Sequence, residues 1–290
     1  MAYATVNPYT NELVKEFDSA TPEEVAAAID RAHAAFLAWR ETPHAERAAV
    51  LAKAAGILRD RREDFAKVLT LEMGKVIGEA EAEVDLSADI LQWYADNAEG
   101  LLQPRAIEVA DPSEGSAMLV PQPLGVLYAV EPWNFPYYQV ARVVGPQLSV
   151  GNTIILKHAG IVPQAAEAFE ALMTEAGLPD GVFINLFASH DATGQILGDP
   201  RVRGVALTGS EAAGAIIATE AAKNLKKSTM ELGGADAFIV LEDADIDKTA
   251  QWAVTGRHWN GGQVCTSSKR LIVVDAVYDE FLEKYRAGVA

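Results

Sequence analysis

The sequence predicts an α/β fold: an open parallel sheet preceded by a run of helices, a projecting hairpin arm, and the start of a second α/β unit. Three observations carry this. From residue 124 onward, apolar runs at 124–130, 153–157, 182–188, 202–208 and 237–241 alternate with helical stretches at 137–150, 162–177, 191–198 and 210–224, the texture of parallel βαβ units. The first hundred residues are instead rich in Ala and Glu, with apolar positions at helical spacing such as Val25, Ile29, Ala32 and Phe36. Between these regions Pro104 ends the helical pattern, and Asp111-Pro112-Ser113-Glu114-Gly115 interrupts an extended stretch over 105–121.

Taken in order, residues 5–17 read as two short strands around the turn-forming Asn7-Pro8-Tyr9-Thr10-Asn11. Thr21-Pro22-Glu23-Glu24 is a capping box with proline at the first helical position. Helices are expected over 22–40, 43–62, 63–73 and 76–100, their aromatic and leucine positions serving the core. The hairpin of 105–121 follows, then the alternating strands and helices, whose parallel sheet has a nucleotide-sized crevice at its strand ends. A strand at 270–274 and a helix from 277 begin a second unit. There are no internal repeats.

Half of the 290 residues are hydrophobic and 22% are charged, as in a globular protein. A net charge of −17, from 24 basic and 41 acidic residues, argues against nucleic acid or an anionic membrane surface as a partner. The amino terminus lacks a signal-peptide pattern, and no apolar run reaches the ~20 residues needed to span a bilayer. With a single cysteine, this points to the cytoplasm. His33, His44, His158, His190 and His258 are scattered without ligand spacing, so no metal is expected.

Several residues carry possible chemistry. Cys265 sits in Gly261-Gly262-Gln263-Val264-Cys265-Thr266, where glycines and polar neighbours fit a nucleophile presented at a turn; a small buried hydrophobe is the alternative. Pro132-Trp133-Asn134-Phe135-Pro136 follows the first central strand, a stiff turn able to aim the Asn134 amide, which could equally bond its own backbone. Thr208-Gly209-Ser210 opens a helix after a strand and offers N–H groups to a phosphate. Lys157 ends a strand, within reach of a ribose or phosphate or simply solvated. Glu231-Leu232-Gly233-Gly234 ends another, compatible with a general base or a surface ion pair.

In this order, with Glu231 34 residues before Cys265, these segments closely resemble the aldehyde dehydrogenase superfamily. Asn7-Pro8-Tyr9-Thr10-Asn11, Thr70-Leu71-Glu72-Met73-Gly74-Lys75 and Ala206-Leu207-Thr208-Gly209-Ser210 extend the resemblance over essentially the whole chain. Within the superfamily it is most similar to bacterial NADP-preferring succinate-semialdehyde dehydrogenases, on Leu156-Lys157-His158-Ala159, Leu207-Thr208-Gly209-Ser210-Glu211 and Val254-Thr255-Gly256-Arg257. The resemblance implies an aldehyde dehydrogenase-like fold with a dinucleotide-binding domain over 1–103 and 124–233. It also implies an oligomerisation hairpin at 104–123 and an incomplete catalytic domain at 234–290.

The resemblance further implies that Cys265 attacks the aldehyde, that Asn134 and the Cys265 N–H stabilise the oxyanion, and that Glu231 activates water to hydrolyse the thioester. Ser210 and the turn at Gly209 would hold the cofactor pyrophosphate and Lys157 the adenine ribose. Trp133, Gly214, Leu232 and Gly233 would complete the cofactor site. Arg142 would bind the substrate carboxylate, with Tyr138 beside it, although a structural ion pair is an equal reading of Arg142. Many NAD-using relatives have a glutamate where Gly160 stands; without that acid, NADP is favoured over NAD. Two departures stand out: Val143 replaces a common lysine, and Glu131 is unusually acidic for a strand that should be buried. The resemblance also makes the chain look truncated after the cysteine. Two readings follow, an NAD(P)-dependent dehydrogenase of succinate semialdehyde or another short aldehyde, oligomeric (dimer or tetramer) at full length, or a dinucleotide-binding fragment without turnover.

Overall fold

A computed structural model describes residues 3–290 and divides into two units, meeting in sequence at Glu231 and Leu232. The first begins with the antiparallel pair β1 (Tyr3–Asn7) and β2 (Glu12–Phe17). Asn7 Oδ1 accepts the Tyr9 N–H at 2.9 Å, and Asn11 takes a φ of 58°, so the expected turn forms as read. The capping box then starts α1 (Pro22–Trp39), whose Val25, Ile29, Ala32 and Phe36 are buried. Helices α2 (His44–Asp60), α3 (Arg62–Met73) and α4 (Ile77–Leu101) follow, and β3 (Arg105–Ile107) with β4 (Ala117–Leu119) forms an exposed hairpin.

The remaining elements of this unit alternate: β5 (Val126–Glu131), α5 (Pro136–Val150), β6 (Thr153–His158), α6 (Pro163–Glu175), β7 (Phe183–Asn185), α7 (Ala192–Gly198), β8 (Val202–Thr208), α8 (Glu211–Lys223) and β9 (Lys227–Glu231). All five strands are parallel, in the order β7-β6-β5-β8-β9. The expected strand at 182–188 stops at Asn185. The Ala188 N–H turns back to the Leu186 carbonyl at 2.7 Å, which ends the ladder.

The strands read as near-continuous apolar runs because both sheet faces are covered. Ala129, Ile154 and Leu156 join the core built by α2 to α6, while Tyr128, Ile155 and Leu207 join a second core with α1, α7 and α8. Burying each of the leucines and isoleucines contributes about 1.5–3 kcal/mol. Helix α5 approaches α4 closely at Gly145, where an added Cβ would lie 2.5 Å from Tyr94 Cδ2.

Helices α5 and α6 both begin with proline and have no side-chain cap of their own. Buried glutamates from earlier helices supply one. Glu72 accepts the Gln164 and Ala165 N–H groups of α6 at 2.9 and 2.8 Å. Glu83 accepts those of Tyr137 and Tyr138 of α5 at 2.9 and 3.2 Å. A carboxylate against the first-turn N–H groups also meets the positive end of the helix dipole.

The second unit is a βαβ motif: β10 (Asp236–Val240), α9 (Ile246–His258) and β11 (Ser268–Val273), the strands parallel, followed by α10 (Tyr278–Val289). Its small core is Val240, Ile246, Ala250, Ala253 and Phe281. The expected strand at 237–241 thus belongs here, paired with β11 rather than with the five-stranded sheet. No helix of the described residues is long and apolar enough to cross a membrane.

Candidate active site

Strand register lines up four polar residues at the carboxyl end of the sheet. Glu131 on β5 is level with His158 on β6, and Thr208 on β8 is level with Glu231 on β9. The β5–β8 ladder runs to Val130 and Leu207, one step short of Glu131 and Thr208. Level residues of a parallel ladder share a face, here the face carrying α5. Arg142 of α5 comes down on this row: Nη2 donates to Thr208 Oγ1 at 3.3 Å, and Nη1 lies 3.9 Å from Glu231 Oε2. Its guanidinium is also 5.8 Å from the centre of the Tyr138 ring. Arg142, Tyr138 and Glu231, singled out separately in the sequence, are therefore neighbours.

His158 is fully enclosed at the other end of the row. Its Nδ1 accepts the Ala159 N–H at 2.8 Å, so Nε2 holds the proton and donates to the Pro136 carbonyl at 2.9 Å. Burial lowers its pKa to about 4, which keeps the ring neutral. This bond ties the last proline of the Pro132–Pro136 turn to β6. Within the turn Trp133 is exposed, Asn134 half-buried and Phe135 buried. The Lys75 ammonium sits 4.0 Å above the Phe135 ring and pairs with Glu83. Burial pushes the Glu83 carboxyl up and the Lys75 ammonium down from their ordinary values, against their mutual attraction. Glu83, Lys75 and His158 thus hold the turn that carries Asn134. No sequence signal marked Glu83, which is one acid among several on α4.

Lys157 faces the opposite side of the sheet from Arg142, since neighbouring strand residues alternate. Of the two readings of Lys157, the structure disfavours the solvated strand end: the residue is 7% exposed and its pKa is lowered by burial. Its Nζ lies 5.5 Å from the Tyr3 ring centre and makes no hydrogen bond or ion pair with a described residue. A buried ammonium without a counter-ion fits a ligand that brings anionic or hydroxyl oxygens. The Gly160 carbonyl, three positions on, accepts the Ala4 N–H at 3.0 Å. At the head of α8, Ser210 Oγ accepts the Ala213 N–H at 3.2 Å. The Gly209 N–H is given to the Glu231 carbonyl at 2.9 Å, so it closes the β8–β9 edge and is not offered to a phosphate. Gly214 is buried one turn into α8.

Cys265, Leu232 and Gly233 belong to the second unit. Cys265 is a half-buried free thiol in the turn before β11, as the sequence led us to expect. Lys269, not singled out before, clamps that turn by donating to the carbonyls of Val264, Cys265 and Ser267 at 3.0, 2.8 and 3.2 Å. Asn260, Gly261 and Gly262 have φ values of 54°, 61° and 76°, a left-handed run that brings the chain into the turn. Leu232 and Gly233 are exposed.

These features define an α/β protein with a doubly covered parallel sheet and a polar site at its strand ends. Residues 1–290 match the aldehyde dehydrogenase family, and the chain belongs to that family. It is 47% identical over 282 residues to a Deinococcus radiodurans protein named succinate-semialdehyde dehydrogenase (NADP+), covering 97% of this chain and 58% of that protein. A probable succinate-semialdehyde dehydrogenase (NADP+) of Synechocystis is 44% identical, over 98% of this chain and 62% of its own. The crystal structure of succinic semialdehyde dehydrogenase from Streptococcus pyogenes in complex with NADP+ superposes with a TM-score of 0.96 at 49% identity, covering 99% of this chain and 63% of that one. The chain thus spans about three-fifths of the length of these relatives.

Proposed function

We propose that this chain serves the NADP-dependent oxidation of an aldehyde to a carboxylic acid, with succinate semialdehyde as substrate. The observation that carries the substrate assignment is Arg142 beside Glu231 at the strand ends. A contact of 3.9 Å between side chains that are 34% and 55% exposed is loose, so exchanging it for a substrate carboxylate costs little. The planar guanidinium then holds that carboxylate through paired hydrogen bonds. Family membership and the names of the relatives support the reaction and the cofactor.

In this reading the Cys265 thiolate adds to the aldehyde carbon, and the Asn134 amide donates to the oxygen as it gains charge. NADP, which Lys157 and the head of α8 at Ser210 would hold, would supply the acceptor for the hydride lost from this carbon. Glu231 takes a proton from water as the resulting thioester is hydrolysed, releasing the acid and the thiol. Lys157 and the head of α8 at Ser210 hold the cofactor, with Trp133, Gly214, Leu232 and Gly233 completing its site. Gly160, standing where many NAD-using relatives carry a glutamate, brings no carboxylate to repel a 2′-phosphate. The β3–β4 hairpin, with Ile107, Met118 and Leu119 exposed, serves contact between copies.

The test is NADPH formation by the 290-residue chain with succinate semialdehyde and, separately, butanal. Arg142→Leu should lower kcat/KM for the carboxylate aldehyde by about tenfold to a hundredfold, with little change for butanal. Equal loss on both removes the carboxylate assignment. NADP binding without NADPH formation assigns the cofactor site and refutes oxidation by this chain.

A further inference from the structure

Glu131 is the carboxyl group of the strand-end row to which this reaction gives no role. It is 2% exposed, at the end of a central strand covered on both faces. The groups facing it are known from each neighbouring element: His158 from β6, Thr208 from β8, Glu231 from β9 and Arg142 from α5. His158 is neutral and spends its Nε2 proton on the Pro136 carbonyl. The Thr208 hydroxyl lies alongside, yet neither Glu131 oxygen meets hydrogen-bonding geometry with it or with any described residue. The guanidinium of Arg142 directs its two terminal nitrogens to Thr208 and toward Glu231.

An ionised carboxylate in this position would be in an untenable state. Burying a bare charge costs so much that the group either takes a proton or claims a cation. A guanidinium stands close enough to be claimed, and the structure shows it engaged elsewhere. We propose that Glu131 is a positioning residue that works as a neutral carboxylic acid. By not claiming Arg142, it leaves the guanidinium turned outward to Glu231 and to the far carboxylate of the substrate. Burial, the dominant influence, holds the Glu131 proton well above the ordinary range; Thr208 and Arg142 oppose this and Glu231 adds to it. Where pH is raised far enough to ionise Glu131, it draws Arg142 inward, and preference for a carboxylate-bearing aldehyde falls. The specificity part rests on the carboxylate-binding reading of Arg142; the protonation part does not.

The experiment compares the full chain with Glu131→Gln, whose amide mimics the neutral acid. A group that keeps its proton when folded and loses it when unfolded destabilises the fold as pH rises above its unfolded pKa. The folding equilibrium constant of the wild-type chain should therefore carry a component falling about tenfold per pH unit above ~4.5. Glu131→Gln should lack it. In NMR the Arg142 guanidinium resonance should move together with the Glu131 carboxyl carbon as Glu131 ionises, and stay put in Glu131→Gln. The ratio of kcat/KM for succinate semialdehyde to that for butanal should fall about tenfold over the same range in wild type only. The ratio cancels the ionisation of Cys265 and Glu231, which affects both aldehydes.

A Glu131→Gln variant with the same pH slope as wild type, or with the loss of stability expected from breaking an ion pair, overturns the neutral acid. An Arg142 resonance that ignores Glu131 overturns the positioning role whether or not the chain turns over. Absence of turnover with either aldehyde, beside the expected stability and NMR results, refutes the proposed oxidation and leaves the Glu131–Arg142 relation standing.

Discussion

Glu83 offers the sharpest test of how the first unit holds its strand-end turn. Its carboxylate pairs with Lys75, and both side chains are completely buried. The same carboxylate accepts the N–H groups of Tyr137 and Tyr138. Glu83→Ala strands an ammonium in the core, a loss of about 3–5 kcal/mol. Uncapping two first-turn N–H groups adds about 1–2 kcal/mol. Allowing for relaxation, about 4 kcal/mol is expected, a large share of the 5–15 kcal/mol that holds a typical domain. Glu83→Gln keeps an acceptor oxygen for the helix but loses the charge, and should cost about 3 kcal/mol.

The decisive variant is Lys75→Met in the Glu83→Ala background. Removing the stranded ammonium should restore part of the loss, so the double mutant is more stable than Glu83→Ala alone, with a coupling energy of about 1–3 kcal/mol. Urea denaturation followed by circular dichroism measures all four corners of the cycle. A Glu83→Ala loss below about 1 kcal/mol, or Lys75→Met adding to the damage, would refute the capping argument.

Two further outcomes are expected. His158 has a folded pKa of about 4 against an ordinary 6.5. Below 6.5 the unfolded chain binds a proton the native chain refuses, so a contribution of up to about 3 kcal/mol, complete above pH 6.5, is lost as pH falls toward 4; His158→Gln should flatten the acid limb of a stability–pH curve, and an unchanged limb counts against the neutral ring. Gly262→Ala forces a left-handed φ of 76° on alanine and puts a Cβ 2.5 Å from Arg257 Nη1, displacing that group from the Gly262 carbonyl. A loss of about 2 kcal/mol is expected, visible as faster hydrogen exchange around Cys265; unchanged exchange would mean the turn is held by Lys269 alone.

Much of this fold was legible because the signals are local. The capping box at Thr21, proline at the first position of α5 and α6, and the apolar strand runs each act within a few residues, and the elements formed where they were read. The Cys265 turn and Glu231 at the end of β9 were legible for the same reason. What escaped depends on tertiary contact. Glu83 looks like any acid on an acidic helix until α5 arrives over it. The sequence left Lys157 between a cofactor ligand and a solvated strand end, and only the packing of Tyr3 beside it shows that it is buried. Gly209 reads as a phosphate-loop glycine, yet its N–H is taken by the neighbouring strand. The short β7 reflects one backbone turn at Leu186–Ala188 that composition does not announce.

The two buried glutamates explain why helices remote in sequence belong to the site. A helix that starts with proline, has no cap of its own and lies against a sheet must find an acceptor for its first N–H groups elsewhere. For α6 that acceptor is Glu72, reached also by the Thr5 hydroxyl at 2.5 Å, which draws β1 into the same knot. For α5 it is Glu83, balanced by Lys75 above Phe135. The segment Thr70–Lys75 therefore supplies one carboxylate and one ammonium to two different helix starts, with Gly74 at a φ of 73° letting the chain turn between them. Its place among the family-like motifs follows from this position: a change there should move the start of α5, and with it Asn134 and Arg142. Damage at Glu83 should therefore reach the strand-end row as displacement of Arg142, seen in its guanidinium resonance, before the unit unfolds.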